Sequence, residues 1–131
     1  MLAFAKRSFA EMIGHAYDGY PLEACGLLVG KGSQVHRFVA CTNEAASARV
    51  YAIPGKELLR AERDAEADGL EIIGVFHSHT HSEPYPSPTD VDQAPDPTWH
   101  YVIVSLKREA PETRSYRIVE GAIAEERVAV G

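Results

Sequence analysis

Three histidines occupy alternate positions in the stretch GVFHSHTHSEPYPSPTD, which covers residues 74–90 and ends on a carboxylate. They are His77, His79 and His81, and the carboxylate is Asp90. Imidazole nitrogens and carboxylate oxygens are groups that bind zinc in proteins. Alternate residues of a β-strand point to the same face, so neighbouring histidines of this set can reach one ion. The stretch therefore predicts a metal site.

One ion cannot contact all three histidines of an extended chain. Four strand residues span about 13 Å, whereas a Zn–N bond is only about 2 Å long, so His77 and His81 lie too far apart. Two adjacent histidines are the better candidates. His77 and His79 directly follow an apolar run and would end a buried strand. A third ligand must come from elsewhere in the chain.

Asp90 is the candidate for the third ligand, although capping alone would also explain it. The sequence SPTD predicts a helix start with Ser87 as the N-cap, Pro88 as the first helical residue and Asp90 as the third. Both roles are compatible if this helix start faces the end of the strand. Asp92 lies about 200° further around the helix, and we expect it at the surface.

Two histidines and one carboxylate would leave one tetrahedral position of a zinc ion for water. This arrangement is typical of catalytic zinc, whereas structural zinc has four protein ligands. A water in that position has a pKa near 7 and acts as a nucleophile at neutral pH. The sequence thus favours a hydrolase with one Zn²⁺ and a bound water.

The surrounding sequence predicts the elements that position these residues. LEIIGVF is typical of a central strand buried on both faces, with HSHTHSEPYP as the following loop and SPTDVDQA as a short helix. Two longer helices are predicted in SFAEMIGHAYDGYP, with a capping box from Ser8 to Glu11, and in PGKELLRAERDAEADG. Further strands are predicted in CGLLVG, QVHRFVACTN, HYVIVSL, RSYRIVEG and AIAEERVAV, with VYAI as a possible short one.

This order predicts one domain over residues 1–131, in the α+β class, with a mixed central β-sheet flanked by helices. The chain is long enough to bury one core. Its 45% apolar and 24% charged residues are ordinary for a globular protein.

Several partner classes are disfavoured by composition. The net charge is −6 and no run of Lys or Arg occurs, so a nucleic-acid partner is not expected. No apolar run approaches the roughly 20 residues that span a bilayer, and no signal peptide is visible.

Cys25 and Cys41 form no CxxC motif and are expected to be small buried residues of a cytoplasmic protein. The terminal strands offer an edge for a possible homodimer.

The spacing H-S-H-x7-S-x2-D resembles the signature of JAMM (MPN+) metallopeptidases, a family with deubiquitinase-like members. That family also has a glutamate ahead of an apolar strand, and PLEACGLLVG has Glu23 in this setting. The resemblance covers nearly the whole chain and implies the JAB1/MPN fold, which is similar to the cytidine-deaminase-like architecture. It implies zinc ligands at His77, His79 and Asp90, a general base at Glu23, and an oxyanion donor at Ser87.

The chain departs from many family members at Thr80, where a proline commonly follows the second histidine. HSHT, the compact length and SYRIVEG look closest to the actinobacterial Mec-type peptidases of the family. This resemblance implies cleavage after the C-terminal Gly-Gly of a ubiquitin-fold sulfur-carrier protein, with release of cysteine. His81, Glu83 and Tyr85 lie in the same loop and are candidates for substrate recognition.

Four alternatives remain open on sequence. One is a deubiquitinase-like isopeptidase on another ubiquitin-fold carrier, and another is a non-catalytic scaffold of the same fold. A third is a cupin barrel, because His77-x-His79-x3-Glu83 matches the HxHxxxE fragment, although two helices would not fit a small all-β barrel. A zinc deaminase is more distant, since its HxE…PCxxC signature is absent.

Overall fold

The computed structural model describes residues 1–131 as one curled eight-stranded sheet with three helices. The elements in chain order are β1 (Leu2–Phe4), α1 (Lys6–Gly19), β2 (Cys25–Lys31), β3 (Gln34–Cys41), α2 (Gly55–Ala67), β4 (Glu71–His79), α3 (Pro88–Asp92), β5 (His100–Ser105), β6 (Glu112–Val119), β7 (Ala122–Glu126) and β8 (Val128–Val130).

Strand β4 lies at the centre of the sheet, whose strand order is β7-β6-β5-β4-β2-β3-β1-β8. It pairs antiparallel with β2 and parallel with β5, which makes the sheet mixed. The predicted α+β class with a mixed central sheet and flanking helices is therefore confirmed. The two helices also exclude the cupin alternative, which requires an all-β barrel.

The two long helices cover opposite faces of the sheet. Alternate residues of a strand point to opposite faces, and along β4 the side chains of Val75 and Phe76 lie in different hydrophobic clusters. The Phe76 cluster includes Met12 of α1, and the Val75 cluster includes Ala61 of α2. His77 follows Val75 by two residues and therefore faces the α2 side.

The sheet curls until its two outer strands approach each other. Strands β7 and β8 stand at opposite ends of the strand order, yet only Arg127 separates them in the chain. Its carbonyl accepts a hydrogen bond from the Leu2 amide at 2.8 Å. Just before it, the Glu126 carboxylate accepts from Nδ1 of His100 at 2.6 Å and from Oγ of Ser115 at 2.8 Å. The segment AIAEERVAV is thus two strands, not the single strand predicted.

Glu126→Gln is expected to destabilise the fold at neutral pH by about 1–3 kcal/mol, because it weakens two charge-assisted hydrogen bonds. Burial alone would raise the pKa of Glu126, but the hydrogen bonds from His100 and Ser115 outweigh it, so the pKa lies below its ordinary value of 4.5. Such a group stabilises the native state above its unfolded pKa and loses this contribution as the pH falls through its native pKa. Urea denaturation should therefore show a smaller difference from wild type in acid.

Glu125→Gln is the matched control for this prediction. Glu125 is exposed and pairs with Arg114 at 2.7 Å on the surface, where an ion pair contributes about 0–1 kcal/mol. Equal stability of the Glu126 variant and wild type at neutral pH would contradict the stabilising role of this half-buried carboxylate.

The N-terminal helix begins earlier than predicted, and the capping box at Ser8 is wrong. The N-cap is Ala5, without a side-chain hydrogen bond, and Ser8 is a buried residue inside α1. Strand β1, which the sequence did not predict, precedes the helix. The amide of Ala5 donates to the carbonyl of Val35 at 3.2 Å, so a tertiary backbone contact ends β1 and starts α1.

The segment VYAI, residues 50–53, forms no strand. In this segment the side chain of Asn43 forms hydrogen bonds with backbone groups that would bond to a neighbouring strand if a strand were present. Its Nδ2 donates to the carbonyl of Val50 at 3.0 Å, and its Oδ1 accepts from the amide of Ala52 at 3.0 Å. The side chain of one asparagine therefore holds this loop in place.

The other predicted elements are present: β2, β3, α2, β5 and the β6–β7 hairpin. Cys25 and Cys41 are buried free thiols, as expected. Among the three helices, none has both the length and the apolar character required to cross a bilayer.

Candidate metal centre and active site

The two histidines of the predicted site belong to β4, which ends at His79. The prediction that a loop begins at His77 is therefore wrong. His77 is paired with Cys25 of β2 and Ile103 of β5, and His79 is paired with Ser105 of β5. Because neighbouring strands satisfy its backbone, the strand extends through both histidines and holds their imidazoles on one face.

Three ligand atoms converge at the end of β4. Nε2 of His77 lies 3.1 Å from Nε2 of His79 and 3.1 Å from Oδ2 of Asp90, and Nε2 of His79 lies 3.0 Å from the same oxygen. All three residues are buried. The structure thus brings together the three residues that the sequence predicted as metal ligands. We call this set the His–His–Asp cluster.

The start of α3 presents Asp90 to the histidines. Ser87 is the N-cap, as predicted: its Oγ accepts from the Asp90 amide at 3.1 Å, and Oδ2 of Asp90 accepts from the Ser87 amide at 2.8 Å. The carboxylate of Asp90 therefore caps α3 and also faces the two histidines. Asp92, two residues further on, is exposed, as predicted.

Neighbouring groups orient both imidazoles. Nδ1 of His79 donates to the carbonyl of Glu83 at 2.8 Å, which leaves Nε2 of the neutral ring free to bind a cation. The ring of Tyr51 stacks on His77 with centroids 4.5 Å apart and an interplanar angle of 19°. Nδ1 of His77 is buried without a hydrogen-bond partner.

The charges of the cluster suit a cation. Burial lowers the pKa of His77, so this ring is neutral. Burial alone would also lower the pKa of His79, but hydrogen bonds to Asp90 and to the Glu83 carbonyl raise it. Burial would raise the pKa of Asp90, and its hydrogen bonds with the two histidines outweigh this, so the carboxylate stays ionised.

The donor set also fits zinc in its dimensions. Ligand atoms around a tetrahedral ion with bonds of about 2 Å lie about 3.3 Å apart, close to the spacings in the cluster. In the neutral ring of His79 the proton lies on Nδ1, so Nε2 can only accept, as can Oδ2 of Asp90. These two acceptor atoms lie 3.0 Å apart, and a shared cation would bind both. The His–His–Asp cluster can therefore hold one metal ion.

Glu23 lies beside the cluster because of its neighbour Ala24. The amide of Ala24 donates to Oγ of Ser78 at 2.8 Å, and its carbonyl accepts from the Ser78 amide at 2.9 Å. Ser78 stands between the two cluster histidines, so these bonds join the segment before β2 to the end of β4. Asn43 also donates to the Glu23 carbonyl at 3.0 Å.

The carboxyl group of Glu23 is buried without a partner. The residue is 3% exposed, and its Oε1 accepts no hydrogen bond. Burial raises its pKa to about 8. Buried polar atoms are nearly always hydrogen-bonded, and exceptions occur at catalytic or ion-binding positions. The environment of Glu23 is thus typical of a proton-transfer group.

A cavity of about 480 Å³ connects the candidate catalytic groups. Glu23, His79 and Ser87 all line it. Because Oγ of Ser87 accepts from the Asp90 amide, its hydroxyl proton remains available for donation into the cavity. The other lining residues are Ala48, Arg49, His81 and Ser82.

The loop candidates for substrate recognition do not gather around the cluster. His81 is exposed and contacts Tyr20, with 3.4 Å between its Nε2 and the tyrosine hydroxyl. Tyr85 packs edge-on against Tyr116. Glu83 forms ion pairs with Lys107 and Arg108. Of these candidates only His81 lines the cavity, and a recognition role for any of them stays a prediction.

Sequence reasoning did not single out Asn43, Tyr51 or Ser78. The serine between the two histidines was visible in the motif, but its bond to Ala24 depends on strand pairing. Asn43 and Tyr51 had no spacing that related them to the histidines, because the loop that contains them has no periodic pattern.

Comparison with known proteins finds relatives along most of the chain. The family described as prokaryotic homologs of the JAB domain matches residues 5–119. The CysO-cysteine peptidase of Mycobacterium tuberculosis is 44% identical over 123 residues, which cover 91% of this chain and 84% of that protein. The desampylase of Haloferax volcanii is 33% identical over 112 residues, which cover 79% and 80% of the two chains.

A solved structure matches over the full length. Protein DSY2949 from Desulfitobacterium hafniense has a TM-score of 0.88 and 33% sequence identity, with coverage of 100% of this chain and 93% of that chain. The curled sheet and its helices are thus a known architecture.

Proposed function

Because this chain belongs to the prokaryotic JAB-domain family and is a peptidase, we propose that it is a zinc peptidase acting on a ubiquitin-fold sulfur-carrier protein. It hydrolyses the bond after the carrier's C-terminal diglycine and releases cysteine. The observation that carries the proposal is the convergence of His77, His79 and Asp90 beside the buried, unpartnered carboxyl group of Glu23.

In this proposal, the His–His–Asp cluster holds one zinc ion. When bound, zinc would polarise the scissile carbonyl and lower the pKa of a coordinated water to about 7. The protein fixes the three ligand atoms in advance through the pairing of β4 and the capping box of α3.

Glu23 is the proposed general base. Its free Oε1 accepts a proton from the attacking water, and the same carboxyl group then donates a proton to the leaving amine nitrogen. Burial raises the pKa of Glu23 to about 8 because it outweighs the opposing charge of His79, and the Asp90 carboxylate adds to the rise. A divalent ion in the adjacent cluster would favour the carboxylate form and so prepare the group to act as a base.

Ser87 is the proposed oxyanion donor. Its hydroxyl oxygen is held by the Asp90 amide, so the proton can point to the carbonyl oxygen of the scissile bond. Negative charge grows on that oxygen during attack, and one such hydrogen bond contributes about 3 kcal/mol to transition-state stabilisation.

The substrate proposal rests on the name of the relative that is 44% identical over 123 residues. It is named a CysO-cysteine peptidase, which supports a carrier protein joined to cysteine. The Gly-Gly end of the carrier is what the resemblance of the sequence to Mec-type peptidases implies. The desampylase supports the second candidate function, an isopeptidase on another ubiquitin-fold carrier. The buried free thiols of Cys25 and Cys41 fit a reducing compartment such as the cytoplasm.

The test uses the zinc-loaded full chain and two substrates. A ubiquitin-fold carrier ending in Gly-Gly-Cys should lose the mass of one cysteine residue, as measured by intact-protein mass spectrometry. A carrier joined through its Gly-Gly terminus to a lysine side chain should react more slowly. Cleavage of the lysine conjugate alone would favour the isopeptidase. Cleavage of neither substrate, with zinc bound, would indicate a non-catalytic scaffold.

A further inference from the structure

The cavity beside Glu23 contains one permanently charged cation, Arg49. Its guanidinium has no ion pair and no hydrogen-bond partner in the structure, and the residue is exposed. By contrast, Lys107, which reaches the loop after His79, pairs with Glu83, and Arg108 pairs with both Glu83 and Glu112. Arg49 is therefore a free positive charge at the mouth of the candidate active site.

The backbone around Arg49 is fixed relative to the cluster. The amide of Arg49 donates to Oγ of Ser47 at 3.0 Å. The carbonyl of Ala48 accepts from Oγ1 of Thr80 at 3.3 Å, and Thr80 directly follows His79. The loop thus holds the base of the Arg49 side chain at a set place beside the cavity.

The charges around Arg49 indicate what kind of ligand it can bind. Glu23 lines the cavity, Asp90 lies close to it, and the whole chain carries a net charge of −6. The two charges of a zinc ion in the His–His–Asp cluster would offset these two carboxylates, which leaves Arg49 as the cation available to an anionic ligand. A guanidinium matches a carboxylate in shape and can bind both of its oxygens.

A carboxylate distinguishes the two substrate classes of the proposed function. A terminal cysteine carries its α-carboxylate on the carbon next to the leaving nitrogen. A lysine side chain in an isopeptide bond has no charged group close to that nitrogen. We infer that Arg49 binds the α-carboxylate of the departing terminal residue and so selects removal of one C-terminal residue over isopeptide cleavage. This inference rests on the proposed function.

The experiment compares carriers ending in Gly-Gly-Cys with either a free carboxylate or a C-terminal carboxamide. Wild type should prefer the acid in kcat/KM by about 10- to 100-fold, the effect of one charge-assisted hydrogen bond. Arg49→Gln should lower kcat/KM for the acid by a similar factor, mainly through KM, and leave the amide unaffected. Arg49→Lys should restore part of the preference.

Arg63→Gln is the matched control, because Arg63 is an exposed arginine of α2 that does not line this cavity. It should retain the wild-type preference. Retention of that preference by Arg49→Gln would overturn the inference while leaving the proposed function intact.

Binding provides a readout without turnover. In a Glu23→Gln background, calorimetry should show tighter binding of the acid than of the amide, and the added Arg49→Gln change should remove the difference. Cleavage of neither carrier by wild type would overturn the proposed function. Equal binding of both carriers in the Glu23→Gln background would overturn the role of Arg49 independently of catalysis.

Discussion

Glu23→Gln is expected to lower kcat/KM for a Gly-Gly-Cys carrier by about 10²–10⁴-fold, the usual contribution of a general acid–base group. Glutamine has nearly the same size but cannot accept the proton. Zinc content should stay at one ion per chain, because Glu23 is outside the His–His–Asp cluster. Kinetics and metal analysis on the same sample test both statements together.

The same variant should change stability in a predictable direction. Burial raises the pKa of Glu23 to about 8 in the metal-free protein. A carboxyl group with a raised native pKa contributes stability that is complete below its unfolded pKa and is lost as the pH rises through the native value. Glutamine has no such loss. The metal-free variant should therefore become more stable than wild type as the pH rises from about 4.5 to about 8.

Glu44→Gln is the control, since Glu44 is exposed and forms no ion pair. It should leave turnover and stability unchanged. Undiminished cleavage by Glu23→Gln would remove Glu23 from the reaction and point to another base.

The core elements were predictable because their signals are local. Apolar runs predicted β4 and β5, and a charged amphipathic pattern predicted α2. The metal-ligand candidates were predictable for a related reason: alternation relates His77 to His79, and helix-capping residues marked the start of α3 with Asp90. Each of these inferences needs only short-range periodicity and the chemistry of the side chains.

The elements that escaped prediction depend on tertiary contacts. Strand β1 has three residues and pairs with β3 and β8, so nothing within the segment itself identifies it. The start of α1 depends on the bond from Ala5 to Val35. The extension of β4 to His79 depends on pairing with β5, whereas the polar sequence after Phe76 favoured a loop.

Within the site, Glu23 also depends on tertiary contacts that the sequence does not reveal. From its residues alone, Glu23 was an acid after a helix end, and only the family resemblance singled it out. In the structure, its burial and its unpartnered oxygen mark it directly. Arg49 had no signal in the sequence, because its relation to Glu23 arises from an irregular loop held by Asn43 and Thr80.

Asp90→Asn is expected to abolish tight zinc binding and with it all turnover. Asparagine can still accept the capping bond from the Ser87 amide, so α3 should keep its place. It removes the negative charge that lies beside Nε2 of His77 and Nε2 of His79 and that would bind the ion. Loss of one charged ligand from a three-ligand site should weaken affinity by at least the roughly 10–100-fold seen for outer-shell changes. Zinc titration with a competing chelator measures this change.

Asp92→Asn is the matched control on the same helix, because Asp92 is exposed and outside the cluster. It makes the same change of charge and should bind zinc as wild type does. Chelation of wild type should remove activity, and added zinc should restore it. Acid should also release the ion, since protons compete with it for Nε2 of His77 and His79. Retention of one zinc per chain and of full turnover by Asp90→Asn would contradict this prediction. The ion would then have to be held by other groups. The His–His–Asp cluster would be a buried hydrogen-bond network with no part in hydrolysis.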